Sequence, residues 1–182
     1  GVAAGREAFI SRAASGMCAD FSKRDVTTYL VGTEEGAIHR CSVAYNEQAL
    51  GTFLGHSGPV YRVQWSSFHP AIFISGGSDW SIRLWHLDQP AAALTIQCSD
   101  FIGDIRWSPA SSTVFASVTG DGMISLWDVA VSTLDPVVSE SMLPSRPSCL
   151  RFPPGRGDRL VVGDDGGHVS VFRVHSHAAH AP

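Results

Sequence analysis

The sequence lacks the features of several protein classes. It contains no run of 18 apolar residues, so it predicts no transmembrane helix. Its net charge is −4, which gives no basic field to attract nucleic acid or an anionic membrane surface. No segment of ten or more residues has the apolar spacing of an amphipathic helix, so strands and turns are the predicted regular structure.

Cysteine is also scarce, and no two cysteines form a Cys-x-x-Cys pair. Cys18, Cys41 and Cys149 fall inside predicted strands, where a reduced thiol packs as a small apolar side chain. We expect these three thiols and Cys98 to be structural, without a disulfide or a metal. This usage of cysteine favours a reducing compartment.

Three histidines near the C-terminus have a spacing that would suit a metal ion, namely His175, His177 and His180. Only three ligands are present, and alanine and proline surround them. The pattern therefore favours a terminal tail over a metal centre, and no cofactor is predicted.

One unit recurs four times at a spacing of 42 to 45 residues. Trp65 and Trp107 are 42 residues apart, and the same spacing separates Trp85 from Trp127. Each copy has short alternating apolar runs separated by Gly, Ser, Asp and Pro, which predicts strands joined by turns. The expected strands are 17–21, 28–32, 37–41, 48–53, 60–65, 71–75, 81–86, 92–97, 102–107, 113–118, 123–128, 136–140, 148–152, 159–163 and 168–173.

The second copy has the most specific motif. It opens with Gly55-His56 and ends at Trp85, while the third copy ends with Trp127-Asp128. A period near 40 residues, with Gly-His at the start and Trp-Asp at the end, resembles the WD-repeat family. The resemblance implies an all-β fold, a WD-repeat β-propeller in which each unit is one blade.

The repeat divides the chain into four blades and two terminal segments. The expected ranges are 1–14 for the end of a preceding blade or a linker, 15–54 for a degenerate blade, 55–98 for the blade with the full motif, 99–141 for the third blade, 142–174 for a degenerate and incomplete last blade, and 175–182 for a His/Ala tail. Four blades leave unpaired faces, and the sequence begins with Gly rather than Met. We therefore expect the chain to be the four C-terminal blades of a seven-bladed ring.

Four polar side chains of the second blade form a candidate network: His56, Ser75, Asp79 and Trp85. The first three have the residue types of a hydrolase triad. In a propeller blade, however, the loops and strands that carry them converge, and buried polar groups must be paired. We expect a structural tetrad and no catalytic residue.

The candidate partner-binding residues are Trp80, Tyr61 and Arg62, all in the second blade. Trp80 follows Asp79 on a turn where the other blades have glycine. A large aromatic side chain on a turn either packs on the neighbouring blade or contacts a partner, and aromatic residues are enriched at interface centres. Phe68 and His69, in the same blade, are candidates for extending this patch, and the sequence leaves their facing open.

Several longer strings resemble dynein intermediate chains. They are Gly-Thr-Glu-Glu-Gly at 32–36, Gly-His-Ser-Gly-Pro-Val-Tyr at 55–61, Ser-Asp-Trp-Ser-Ile-Arg-Leu-Trp at 78–85, Ile-Arg-Trp-Ser-Pro at 105–109 and Val-Val-Gly-Asp at 161–164. The resemblance extends over roughly residues 16–174 and rests on these strings together. The segment 132–136, Ser-Thr-Leu-Asp-Pro, resembles the axonemal branch and leans toward the inner-arm, two-headed type.

This resemblance implies a non-catalytic subunit in the cytoskeleton of a cilium or flagellum. Its propeller is expected to dock on the tail of a dynein heavy chain, beside another intermediate chain and light chains. No nucleic acid, membrane or small-molecule substrate is expected as a partner, and no cofactor or metal.

A receptor for a short peptide, for example in a ubiquitin ligase, is the alternative function. It would need a central pocket lined by arginine or aromatic residues. Arg62, Arg106 and Arg151 are expected at the same place on three inner strands, one in each blade. They either line such a pocket or pair with acidic residues at the surface of the strands.

Overall fold

The computed structural model describes residues 14–45 and 47–174. These residues form fifteen β-strands and no helix. Each apolar run alternates with polar residues and is closed by a turn, so neighbouring runs pair as antiparallel strands. The all-β prediction is confirmed. Within the described residues, no helix is long and apolar enough to cross a membrane.

The strands form four separate sheets, each built from consecutive strands in chain order. The first sheet contains β1 (Gly16–Phe21), β2 (Thr28–Thr33), β3 (Ala37–Ser42) and β4 (Gly51–Leu54). The second contains β5 (Val60–Trp65), β6 (Ile72–Gly77), β7 (Ser81–His86) and β8 (Leu94–Gln97). The third contains β9 (Ile102–Trp107), β10 (Val114–Thr119), β11 (Met123–Asp128) and β12 (Val138–Ser141). The fourth contains β13 (Pro147–Arg151), β14 (Arg159–Asp164) and β15 (Val169–Arg173).

The strand positions agree closely with those expected from the repeat. The strands β5, β7, β9 and β11 have the expected bounds, and the other strands differ from them by one to three residues at an end. The largest differences occur at the outer strands, because these have little apolar alternation. The blade limits themselves stay predictions.

The core is a series of layers between neighbouring sheets. Leu30 and Ile38 of the first sheet pack with Trp65, Phe73 and Trp85 of the second. Equivalent layers join the second sheet to the third and the third to the fourth. The second and third sheets therefore bury one face against the sheet before and the other against the sheet after, which is how propeller blades pack.

The two outermost sheet faces have no neighbouring blade among the described residues. Phe21 on the first sheet and Val169 and Val171 on the fourth are exposed, although their counterparts in the inner layers are buried or partly buried. Cys149 is also exposed, so its predicted place in the core is wrong. Cys18, at the equivalent position of β1, is covered by Val60 of the next blade, and Cys149 has no such cover.

Candidate functional site

The structure brings the four predicted tetrad side chains together at one end of the second sheet. His56 lies in the loop between β4 and β5, Ser75 in β6, Asp79 in the turn between β6 and β7, and Trp85 in β7. His56 Nδ1 is 2.9 Å from Asp79 Oδ1, and His56 Nε2 is 2.7 Å from Ser75 Oγ. Trp85 Nε1 donates to Ser75 Oγ at 2.8 Å.

The hydrogen bonds run in one direction when His56 is neutral with its proton on Nδ1. The indole of Trp85 donates to the hydroxyl of Ser75, this hydroxyl donates to Nε2 of His56, and Nδ1 donates to the carboxylate of Asp79. Each polar atom has a partner of the opposite kind, which removes the free-energy penalty of burying it.

Two further serines complete the network and were not expected from the sequence. The hydroxyl of Ser81 donates to Asp79 Oδ1 at 2.8 Å, and the backbone N–H of Ser57 donates to Asp79 Oδ2 at 3.1 Å. Asp79 therefore holds the β4–β5 loop against its own turn. The signal in the sequence was the short spacing of Ser81 after Asp79, since Asp side chains commonly accept hydrogen bonds from groups two residues on.

The pKa values of the pair favour a neutral histidine beside a carboxylate. Burial lowers the pKa of His56 below its usual value, and the hydrogen bond and charge of Asp79 offset only part of that effect. Burial would raise the pKa of Asp79, but its hydrogen bonds from His56, Ser81 and Ser57 and the charge interaction with His56 together lower it. A neutral His56 fits the direction of the hydrogen bonds.

The three residue types of a hydrolase triad do not make a hydrolytic site here. Ser75 is fully buried, and its oxygen already accepts from Trp85 while its proton is directed at His56. A nucleophile must reach the substrate, and this hydroxyl cannot do so. The network holds the loop, the strands and the turn of the blade together.

The third blade keeps part of the same network without the histidine. Trp127 Nε1 donates to Ser117 Oγ at 2.9 Å, as Trp85 does to Ser75. Asp121 accepts from the hydroxyl of Ser99 at 2.5 Å and from that of Thr119 at 2.6 Å. Ser99 corresponds to Ser57, which also bonds the turn carboxylate of its blade, and Cys98 stands at the position of His56. The hydroxyl–indole pair therefore recurs in the two blades that have a tryptophan at this position.

Trp80 has an unusual backbone conformation and an exposed ring. Its φ is 62°, whereas the equivalent positions of the other blades are Gly36, Gly122 and Gly167, with φ between 83° and 93°. A bulky residue with a positive φ is rare, since its side chain strains the backbone. Trp80 is 49% exposed, so about half of the residue is open to solvent.

Tyr61 and Phe101 lie at the same end of the sheets as the Trp80 turn. Their rings are 6.2 Å apart in an edge-to-face arrangement. The backbone N–H of Cys98, three residues before Phe101, donates to the carbonyl oxygen of Trp80 at 2.8 Å. Phe101 is exposed and was not among the residues expected from the sequence, because it lies in a loop outside the repeat motif.

Phe68 and His69 do not extend this patch. They lie in the turn between β5 and β6, and Trp80 lies in the following turn, between β6 and β7. Successive turns of an antiparallel sheet lie at opposite ends of its strands. The candidate extension of the Trp80 patch by Phe68 and His69 is therefore wrong.

The three arginines do not share one position on the inner strands, contrary to the expectation. Arg106 and Arg151 stand one residue before Trp107 and Phe152, whereas Arg62 stands three residues before Trp65. They nevertheless meet, because Asp104 of β9 is fully buried between them. Oδ1 of Asp104 lies 3.0 Å from Arg62 Nε and 3.3 Å from Arg106 Nε. Oδ2 lies 2.8 Å from Arg151 Nη1 and accepts from the Leu150 N–H at 3.0 Å.

The described residues contain no group of three or more His, Cys, Asp or Glu side chains arranged to hold a metal ion. The three C-terminal histidines, His175, His177 and His180, lie outside the described residues, as does most of the expected segment 1–14. No property of the tail is therefore inferred from the structure.

Comparisons with known proteins place the fold and the family. A family model described as "WD domain, G-beta repeat" matches residues 47–86 and 92–128. The chain is 41% identical to dynein axonemal intermediate chain 4 of Rattus norvegicus over 92% of this chain and 21% of that protein. The protein of the same name from Xenopus laevis is 48% identical over 87% of this chain and 21% of its own length.

An algal relative is also similar. The 78 kDa dynein intermediate chain of the flagellar outer arm of Chlamydomonas reinhardtii is 39% identical over 90% of this chain and 25% of its own length. The chain thus spans between a fifth and a quarter of the length of these curated relatives. With four antiparallel sheets and two matched repeats, the chain contains WD repeats, and it is similar to the dynein intermediate chains.

Proposed function

We propose that the chain is part of a non-catalytic scaffold subunit of an axonemal dynein motor complex. In this proposal its propeller docks on the tail of a dynein heavy chain and so helps to assemble and regulate the motor for ciliary or flagellar beating. The observation that supports it is the sequence identity of 39–48% to dynein intermediate chains over about nine tenths of the chain. Heavy chains, another intermediate chain and light chains are the proposed partners.

The names of the relatives agree with the expected location. They are called axonemal, ciliary and flagellar outer arm proteins, so a place in the axoneme of a cilium or flagellum follows for the chain. These names include an outer-arm protein, and the preference for the inner-arm, two-headed type stays a prediction.

A scaffold role also agrees with the chemistry of the second blade. Its His, Ser and Asp are buried and paired with each other, so they stabilise the blade and are not available to a substrate. Interfaces commonly gain most of their binding energy from a few aromatic and arginine anchors. Trp80, Tyr61 and Arg62 are of these types, and Trp80 is the most exposed of the three.

The test is co-purification of the full-length protein with dynein subunits from ciliary extract. Mass spectrometry is expected to identify heavy and light chains with the unmodified protein. Trp80→Gly should lose the heavy chain, because glycine removes the anchor and suits the positive φ at this position. Melting curves of both proteins establish that the fold is kept.

Phe68→Ala is the matched control, since Phe68 is 41% exposed at the opposite end of the same sheet. This variant should recover as much heavy chain as the unmodified protein. Equal losses in the two variants would argue against the Trp80 turn as the contact. Recovery of ubiquitin ligase subunits without any dynein would overturn the proposal in favour of the peptide receptor.

A further inference from the structure

Three arginines from three blades converge on a single buried carboxylate. Arg62 of β5 and Arg151 of β13 donate to opposite oxygens of Asp104, at 3.0 and 2.8 Å. Arg106 of β9 lies 3.3 Å from the same carboxylate. We call these four residues the arginine cluster. It spans the second, third and fourth sheets.

Asp104 already has a full set of partners inside the protein. Besides the arginines, its oxygens accept from the backbone N–H groups of Ile105 and Leu150, each at 3.0 Å. A carboxylate that is fully buried and bonded on both oxygens is not displaced by a ligand without a large cost. Asp104 therefore acts as a fixed support that orients the guanidinium groups.

The arginines exceed the acidic groups around them. One carboxylate, Asp104, faces three guanidinium groups, and Asp20 of β1 also interacts with Arg106. Even with Asp20 included, one positive charge remains in excess. The closeness of the three positive charges also affects Arg106. Burial is the main cause that lowers the pKa of Arg106; Asp104 raises this pKa, and the charges of Arg151 and Arg62 lower it further.

The excess charge is accessible at two places. The side chain of Arg151 is 59% exposed and that of Arg62 is 36% exposed. In the described part of the chain, Nε and Nη2 of Arg151 and Nη2 of Arg62 make no hydrogen bond, whereas their other donors bind Asp104, Leu150 and Tyr61. Arg151 is thus held at Nη1 while its Nε–Nη2 edge is open, which preorganises it to bind a carboxylate in the bidentate manner, and Arg62 offers the single free nitrogen Nη2.

We propose that the arginine cluster binds an acidic peptide segment of a partner protein, with Arg62 and Arg151 each pairing with a glutamate or aspartate carboxylate. The two arginines lie on strands two blades apart and approach Asp104 from opposite oxygens. The open edge of Arg151 and the free Nη2 of Arg62 belong to different blades, and we assign them to successive carboxylates of one extended segment. With a chain net charge of −4, the positive charge is local, which disfavours a nucleic acid backbone.

Because Arg62 is also among the proposed docking residues, this inference rests on the proposed function and names the chemistry of one partner segment.

The test is the binding of a fluorescein-labelled hexaglutamate peptide to the full-length protein. Binding is measured by fluorescence anisotropy at low salt. Binding is expected to be saturable and to weaken about tenfold or more in Arg151→Gln and in Arg62→Gln. Arg151→Lys keeps the positive charge but not the forked guanidinium group, so it should weaken peptide binding less than Arg151→Gln does.

Arg159→Gln is the matched control, because Arg159 lies on the same sheet as Arg151 and outside the arginine cluster. Its binding should stay within about twofold of the unmodified protein. Equal weakening by this variant, or no binding of hexaglutamate, would overturn the inference, as would full displacement of the peptide by an equal concentration of inorganic phosphate. If the unmodified protein co-purifies with dynein but does not bind hexaglutamate, only the acidic-segment site is rejected. If it binds hexaglutamate but recovers no dynein, the docking function is rejected.

Discussion

His56 shows how burial decides the role of a polar side chain in this protein. Its ring lies between Asp79 and Ser75, and the hydroxyl of Ser75 in turn accepts from Trp85. Removing the imidazole would leave the hydroxyl and the carboxylate without their central partner in a buried site. The cost of such unpaired groups is large compared with the small net gain of one ordinary hydrogen bond.

We therefore expect His56→Ala to lower the free energy of unfolding by about 1–3 kcal/mol. Asp79→Ala should have an effect of similar size, since His56, Ser81 and Ser57 all bind that carboxylate. Denaturant titration measures the change. His86→Ala serves as the control, because His86 is partly exposed and lies 3.7 Å from the exposed Asp88; a change near 0.5 kcal/mol or less is expected there. An unchanged midpoint for His56→Ala would contradict the network.

The stability of the blade should also depend on pH through His56. Its pKa in the fold is lowered from 6.5, so the unfolded chain binds more protons in the interval between the two values. This contribution to stability is therefore full above pH 6.5 and is lost as the pH falls through the folded pKa. The lowered pKa of Asp79 acts in the same direction below 3.8.

Melting temperatures measured from pH 8 down to about pH 5 should fall, and His56→Asn should reduce the slope below about pH 6.5. A rise in melting temperature on acidification would show instead that His56 becomes charged to pair with Asp79.

At the scale of an element, the turn between β6 and β7 is the exception among the four blades. Three blades have glycine at the position of Trp80, and all four have a positive φ there. The turn geometry is therefore common to the blades, whereas the side chain is not. A strained residue that is also half exposed is the reason for which we propose a partner contact at this turn.

Trp80→Gly should leave the free energy of unfolding unchanged or raise it by up to about 1 kcal/mol. The relief of the left-handed strain is partly offset by the greater freedom of glycine in the unfolded chain. Thermal melting of the two proteins gives the answer. A loss of about 2 kcal/mol or more would mean that the ring packs on the fold and contributes to the core.

At the scale of the whole molecule, the blades are held together by close packing between their faces. Gly76 of β6 is one point of closest approach, since a Cβ atom there would lie 2.6 Å from Ile102 Cγ2 of the third blade. Ile102 is fully buried within the layer that joins these two blades. The absence of a side chain at Gly76 is thus what lets the sheets meet at this distance.

Gly76→Ala is expected to lower the free energy of unfolding by about 1–3 kcal/mol, because the added methyl group overfills the layer. Gly51→Ala is the control on the outer strand β4, where a Cβ atom would meet no atom within 4 Å; it should be neutral or slightly stabilising. Urea unfolding of both variants tests the prediction. Equal effects would show that the loss comes from the strand backbone and not from packing between blades.

The sequence by itself determined the repeat, the strand order and the four members of the structural tetrad. Apolar alternation and turn residues are local signals with a fixed spacing, so they can be recognised without the structure. It also identified the relationship to dynein intermediate chains through the strings that lie outside the general blade motif. The outer strands were less well placed, since their side chains alternate weakly. The position of each strand is thus predicted by residues that are close together in the sequence, and the prediction is as accurate as their alternation is clear.

Only the tertiary structure decided which residues meet across blades. Asp104 and Arg151 are 47 positions apart, and no local pattern indicates that they share a buried ion pair with Arg62. The same holds for Phe101 beside Tyr61. These contacts depend on the twist and packing of neighbouring sheets, which place side chains from distant positions at one point.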